Sequence, residues 1–560
     1  MSQTIIHPKD THNWWKEAIV YQIYPRSFKD SDGDGIGDLK GIISKLDYIQ
    51  SLGVTAVWLN PIYTSPNDDN GYDISDYRNI MKEFGNMTDF DNLLNGLHKR
   101  KIRLIMDLVV NHSSDEHEWF KQSRSSRDNP YRDYYHWWNA DRGKPAYRYS
   151  LFDVNHDAWK YDSLTNAYYL HYFSAKQPDL NWENPKLRKE VYDIMKFWAD
   201  KGIDGFRLDA FQFAGKDTSF PAFPKGFEEH FARYYAMQGN LHAYLKEMNA
   251  EVFSKYDVMS VAEGAGNTFK DAHDLVDAER KELNMAYAFE GIDLAKPEGY
   301  SLLHFKEIFS RWDSAFASEG WLSIFLANHD QARLVSRFGN DRPEFRELSS
   351  KMLSTFIMTM RGTPYYYNGD ELGMTNAGFD KIEDYRDIQT LNEYKHQQKT
   401  GGDLPEFLKK IRFESRDNAR TPFQWDQNAH AGFSSGTPWI NVNPNYVTIN
   451  AAEQEEDKNS CLNYFRSLVR LRNENKDVLV YGRYSLLDKD NHDMYTFTRE
   501  SGAEKMLILL NFTSHRATTN PGMKLENLKL LLSNSPKPPI LVKGNPEITM
   551  DPYEAVIYEF

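Results

Sequence analysis

Cysteine is all but missing: Cys461 is the only one in 560 residues. An intramolecular disulfide is therefore excluded, and nothing argues against a reducing compartment. Apolar runs are also short. No window approaches the roughly 20 residues that a membrane-spanning helix requires. The opening stretch "MSQTIIHPKDTHNWWKEAIVYQ" lacks a basic segment followed by an apolar one, the pattern of a secretory leader. These absences lead to the expectation of a soluble, cytoplasmic protein. Positive charge is in deficit, with 67 Lys and Arg against 81 Asp and Glu, a net charge of −14. Such a surface repels phosphate backbones and anionic membranes, so neither nucleic acid nor a membrane is an expected partner. Internal repeats and low-complexity tracts are absent. Aromatic side chains, by contrast, reach 14%. Most must fill the core, but exposed ones suit stacking on sugar rings.

The length is too great for one hydrophobic core, so more than one domain is expected. Between residues 18 and 370, short apolar runs alternate with helix-period segments. The runs are "AIVYQIY" (18–24), "TAVWLN" (55–60), "RLIMDLVV" (103–110), "GFRLDA" (205–210), "VMSVAEG" (258–264), "MAYAFEG" (285–291), "WLSIFLANHD" (321–330) and "TPYYYNGDE" (363–371). In "LKGIISKLDYIQSLG", Leu39, Ile42, Ile43, Leu46 and Ile49 mark one helix face. Eight strands with interleaved helices predict an α/β fold, a (β/α)8 TIM barrel, rather than an open doubly wound sheet. Some seventy residues separate the third run from the helix-period segment at 184–202, which is long for a connection within a compact domain. An inserted domain is expected there, at 113–184, with the barrel spanning 1–112 and 185–480. A second polar excursion covers 374–424. Beyond about 480 the period becomes two, and "MYTFT" and "EKMLILLNFT" flank an "SGA" turn. This predicts a carboxyl-terminal antiparallel β domain, a β-sandwich over 481–560.

Two charges interrupt the fourth run. On a strand, Phe206, Leu208 and Ala210 share one face, while Arg207 and Asp209 share the other. Arg207 and Asp209 would then enter the barrel mouth, where barrel enzymes place their chemistry. Two readings stand: a structural ion pair, or an arginine that keeps a nucleophilic carboxylate ionised. The fifth run ends on Glu263 and the seventh on His329 and Asp330. Three carboxylates at strand ends thus converge on one mouth. Crowded like charges push one pKa up, which gives one protonated acid and one ionised base, the division needed to cleave a glycosidic bond.

"DLVVNH" (107–112), "QPDLNW" (177–182), "GFRLDA", "AEG" at Glu263 and "ANHDQ" (327–331) occur in the order and spacing of the α-amylase family, glycoside hydrolase family 13, which the chain resembles from about Trp14 onward. The form "QPDLNW", with "DDNGYDISDY" (68–77) and "SRDNARTPFQW" (415–425), resembles its oligo-1,6-glucosidase and α-glucosidase branch. The resemblance implies a barrel with a domain inserted after strand three, and it implies roles for individual residues. Asp209 would be the nucleophile, Glu263 the acid–base and Asp330 the stabiliser of an oxocarbenium-like sugar. His112 and His329 would bind that sugar's hydroxyls, and Tyr72 would lie beneath its ring. Asp69 and Arg416 would grip its non-reducing end, with Arg207, Gln177 and Ala210 completing the substrate site. Such a pocket removes one terminal glucose from a small oligosaccharide or disaccharide. In the branch, α-1,6-restricted enzymes tend to carry Val after the nucleophile, so Ala210 leans toward α-1,4 or mixed linkages. The sequence departs from the branch in "EGAG", "NGDELGM" and Phe423, all expected near the pocket rim.

"DSDGDGIGD" (30–38) sets Asp30, Asp32, Asp34 and Asp38 at alternating positions around Gly35, with the Ile36 carbonyl as a further ligand. Hard oxygen donors at this spacing suit structural Ca²⁺, and the branch has such a loop at the corresponding place. An EF-hand would need Glu at the twelfth position, which is Gly41. The alternative is a solvated acidic turn. Among functions, the alternatives are a sucrose isomerase or transglucosylase with the same carboxylates, or an inactive sugar-binding subunit. Segment 289–299 lacks the arginines that sucrose isomerases carry, and all three carboxylates are present. The oligomeric state, monomer or homodimer, stays open.

Overall fold

The computed structural model describes residues 13–523, 528–539 and 547–560. Part of the amino-terminal leader reading falls on residues 1–12 and lies outside them. Eight parallel strands form the centre: β1 (Val20–Ile23), β2 (Ala56–Leu59), β3 (Arg103–Val109), β4 (Gly205–Asp209), β5 (Met259–Ala262), β6 (Met285–Ala286), β7 (Ser323–Ile324) and β8 (Thr363–Tyr367). They pair in the order β6–β5–β4–β3–β2–β1–β8–β7, and a bridge between Ala286 and Leu322 closes the ring. This is the expected barrel. The sixth and seventh runs hold only two strand residues each, so the chain leaves them for the barrel mouth as loop.

Local chemistry explains how β4 is delivered. The helix Pro185–Lys201 starts at Asn184, whose side chain accepts from the Lys186 amide, and has proline in its first turn. It buries Leu187, Val191, Ile194, Met195 and Trp198 on one face. Gly202, at φ 99°, ends it in the left-handed conformation. Three residues later β4 begins. The stripe at 39–49 is split instead: the helices Leu39–Ser44 and Leu46–Ser51 meet at Lys45, whose φ of −112° and ψ of 12° break the first one.

Between β3 and that helix lie the helix Glu118–Ser125 and a three-stranded sheet in which Ala167–Leu170 pairs with both Trp137–Asn139 and Trp159–Asp162. The segment returns to the barrel through bridges His112–Asp179 and Tyr135–Leu180. After β8 come the helices Ile388–Thr400, Leu404–Glu414 and Asp417–Arg420. At the carboxyl end, Met494–Ser501 and Glu504–Asn511 form a hairpin within a five-stranded antiparallel sheet. Its Met494, Leu507, Leu509 and Val556 pack with Ile548 and Met550 from a two-stranded ribbon. Cys461 opens the helix Cys461–Glu474 and is buried, its sulfur 3.7 Å from the Glu347 carbonyl and 4.0 Å from Arg346 Nη1. Among the described residues no helix is long and apolar enough to cross a membrane.

Candidate active site

Strand register assembles the centre of the site. Pairing of β3 with β4 sets Asp107 beside Arg207 and Val109 beside Asp209. Arg207 is fully buried and serves three carboxylates with two nitrogens. Its Nη1 donates to Asp107 Oδ1 at 2.9 Å and Asp209 Oδ1 at 2.6 Å, and its Nη2 lies 2.5 Å from Glu263 Oε1. The ion pair anticipated within β4 is thus one edge of a four-residue cluster across three strands. The Ala210 amide donates to Glu263 Oε2 at 2.8 Å. To do so Ala210 takes a left-handed conformation, φ 45° and ψ 18°, which a non-glycine residue adopts rarely and which marks many functional sites.

Asp330 stands on a loop six residues past β7 rather than at its end. The Asn328 side chain accepts from the Asp330 amide, and Arg420 donates to the His329 carbonyl, which fixes the loop. The Asp330 carboxylate accepts from Arg416 at 3.1 Å and Arg420 at 2.7 Å. Asp69 accepts from Arg416 Nη2 at 3.1 Å and from Gln177 Nε2 at 3.1 Å. The expected Asp69–Arg416 pair is therefore formed, and Asp387 also grips Arg416, at 2.5 Å. His112 Nε2 donates to the Tyr72 carbonyl. Gln22 donates to His329 Nδ1, so the proton of neutral His329 sits on Nε2, 3.2 Å from Asp330 and without a hydrogen-bond partner in the structure. The His329 ring stacks on one face of Tyr72 at 5.2 Å.

Burial sets the proton affinities, and the charges then separate them. It pushes Glu263 up to about 8 against the pull of Arg207, with Asp209 and Asp330 adding to the rise. It pushes Asp209 up to about 7, again against Arg207, with Asp107 and Asp330 adding. Arg207 thus offsets the burial of Asp209 without cancelling it. Asp330 is also penalised by burial, yet it is held well below the ordinary carboxylate range by His329 where that ring is protonated, at very low pH, and by the permanent charges of Arg416 and Arg420 at every pH. Burial lowers both His112 and His329 to about 3, so both imidazoles are neutral. Both carboxyls are thus raised, which suits one of the pair to hold a proton while the other, beside the Arg207 charge, is ionised. An ionised carboxylate beside a protonated one, with a third permanently charged, can attack an electrophilic carbon, protonate its leaving oxygen and stabilise positive charge between them.

A cleft of about 930 Å³ opens beside Glu263 and Ala210, with Phe173, Phe231, Phe289 and Trp312 on its wall. Of the unusual positions, Gly264 and Ala265 line this cleft. The others do not reach it. Phe423 packs among Phe28, Tyr48 and Trp425, the Asn368 side chain accepts from the Tyr24 amide at 2.8 Å, and Asp370 lies 3.7 Å from Arg333 Nη1. All three are buried, so they shape the core rather than the rim.

In the acidic loop, oxygens of Asp30, Asp32 and Asp38 lie within 4.8 Å of one another. Asp34 is not among them; its carboxylate accepts from the Ile36 amide. Gly35 is required, since its φ is 91° and a Cβ there would meet the Thr437 carbonyl at 1.9 Å.

Sequence reasoning missed Asp107, Asp387 and Arg420 as partners of the central charges. Asp107 carried a usable signal, a charge within an apolar run, the same anomaly as in β4. Asp387 and Arg420 lie in a polar excursion with no period to read.

Residues 22–482 match the family described as "Alpha amylase, catalytic domain". The chain is 50% identical to an oligo-1,6-glucosidase of Parageobacillus thermoglucosidasius, over 98% of this chain and 99% of that one. It is 48% identical to an oligo-1,6-glucosidase of Bacillus cereus, with the same coverage. Among solved structures it is similar to a trehalulose synthase variant, with a TM-score of 0.94 and 44% identity, covering 98% of this chain and 100% of the other.

Proposed function

Because the chain belongs to the α-amylase family of glycoside hydrolases, we propose that it is a retaining, exo-acting α-glucosidase that releases terminal glucose from short α-glucosides. Asp209 attacks the anomeric carbon while Glu263 protonates the departing oxygen, which leaves a covalent glucosyl–enzyme. Glu263, now ionised, takes a proton from water, and that water displaces Asp209 with a second inversion. Asp330, His112 and His329 bind the distorted sugar, over the ring of Tyr72. Asp69 and Arg416 close the pocket at its non-reducing end, and the cleft beyond Glu263 receives the leaving group. The observation that carries this reading is the sharing of one guanidinium, that of Arg207, by Asp209 at 2.6 Å and Glu263 at 2.5 Å.

Ala210 leaves room for α-1,4 or mixed α-1,4 and α-1,6 linkages; the difference of a methyl-sized group is worth about 1–3 kcal/mol. We also propose that Asp30, Asp32 and Asp38 hold a structural Ca²⁺, for which three clustered carboxylate oxygens are suitable donors.

A second reading, a sucrose isomerase, draws on the likeness to a trehalulose synthase. Maltose, isomaltose, sucrose, trehalose and panose, with products identified, separate the two. Free glucose released as the α-anomer is the expected result. A rearranged disaccharide as the main product of sucrose would overturn the hydrolytic reading.

A further inference from the structure

One face of the helix Ile388–Thr400 is spent on a short stretch of the insertion. Asn392 donates to the Phe152 carbonyl at 2.7 Å, His396 Nδ1 donates to the Val154 carbonyl at 2.8 Å, and Lys399 donates to Asn155 Oδ1 at 2.6 Å. Positions 392, 396 and 399 are four and three residues apart, the spacing of one helical face. Glu393 adds a fourth grip, accepting from His156 Nε2 at 3.0 Å while Gln397 Nε2 donates to its other oxygen at 2.7 Å. The rings of His156 and His396 stack at 4.2 Å, and Tyr149 meets His156 edge-on at 5.3 Å.

His156 is also held in the left-handed region, at φ 56°. A histidine keeps that conformation only when its surroundings fix it: its amide donates to the Asp153 carbonyl, its carbonyl accepts from the Ser150 amide and the Tyr147 hydroxyl, and its ring is held by Glu393 and His396, on a helix some 240 positions away in the chain. Both ends of the arrangement reach the site. The Arg416 guanidinium lies 4.8 Å from the Phe152 ring. The same Arg416 is gripped by Asp387, whose side chain caps this helix by accepting from Gln389 and Thr390.

We infer that Asn392, Glu393, His396 and Lys399 form a clasp that holds residues 152–156, and with them Phe152, against Arg416. They are positioning residues for the wall of the terminal-glucose pocket, an assignment that rests on the hydrolytic reading. They touch neither Asp209 nor Glu263, so loosening them weakens substrate binding and spares the chemistry.

The test uses the full-length enzyme and a Glu393→Ala, His396→Leu double variant. For maltose, KM is expected to rise about five- to tenfold with kcat within about twofold of wild type. Amide exchange at 149–157 in the ligand-free enzyme is expected to quicken at least about tenfold while the barrel strands stay protected. His396→Gln keeps a donor for the Val154 carbonyl and should remain close to wild type. Should the double variant fail to fold, His156→Gly removes the ring contacts and frees the backbone there, and the same rise in KM is expected. Unchanged KM and unchanged exchange at 149–157, or a fall in kcat at constant KM, overturns the clasp. If the wild-type enzyme cleaves no α-glucoside, the functional reading fails, and the exchange experiment still decides the clasp.

Discussion

Asp107 offers the most direct test of how the central charges share their protons. Its Oδ1 and that of Asp209 accept from the same Arg207 nitrogen, at 2.9 and 2.6 Å, which sets the two negative charges roughly 5 Å apart. At an effective dielectric of about 20, such charges repel by about 3 kcal/mol, equivalent to about two pH units. Tyr72 and Trp58 donate to the other Asp107 oxygen and draw off part of that charge. Asp107→Asn keeps the shape and removes the repulsion, while Arg207 continues to favour ionised Asp209. Asp209 must be ionised to attack, and its carboxyl, raised to about 7, ionises more readily in the variant. The acidic limb of kcat/KM, measured on 4-nitrophenyl α-glucoside, is therefore expected to move down by about one to two pH units. A folded variant whose limb stays in place or moves up would refute the electrostatic account.

The alkaline limb of the wild-type enzyme should fall near pH 8, where Glu263 loses the proton it donates; activity undiminished at pH 10 would remove Glu263 from the acid role. Asp209→Asn should lower turnover of every glucoside by several orders of magnitude. Glu263→Gln should do so for maltose and far less for 4-nitrophenyl α-glucoside, whose leaving group needs little protonation; equal losses would count against the assignment. Chelator should lower the thermal midpoint by several degrees, and Ca²⁺ should restore it through binding linkage. A midpoint unmoved by chelator would leave the acidic loop as a solvated turn. Arg416→Met, which leaves buried Asp69 without its cation and Asp387 with Arg420 alone, at 3.7 Å, should raise KM at least about tenfold, and an unchanged KM would detach the Asp69–Arg416 pair from the pocket.

The barrel was legible because its alternation of period two and period 3.6 repeats, and because Asp209 and Glu263 stand where apolar runs stop. Strand extent was less so. Only Met285 and Ala286 of the sixth run pair with β5, and Asp330 rides on a loop that the apolar residues before it disguised as strand. Partners of the catalytic charges were harder still. Asp387, Arg420 and the clasp on Ile388–Thr400 come from a polar excursion whose contacts are set by tertiary packing, and hydrophobic pattern carries no trace of which residue it faces. The rim assignment of Phe423 failed for a related reason, since a motif places a residue in sequence but not its side chain in depth.

The lone thiol, being buried, has a practical consequence. Cys461 lies beneath the helix Arg346–Thr359, and burial pushes its thiol up, so the reactive thiolate is scarce in the native fold. Maleimides and Ellman's reagent should leave the intact enzyme unmarked and report the moment those two helices part. A cysteine introduced at an exposed position of the insertion, such as Leu164, can then carry a single fluorophore without first stripping the background.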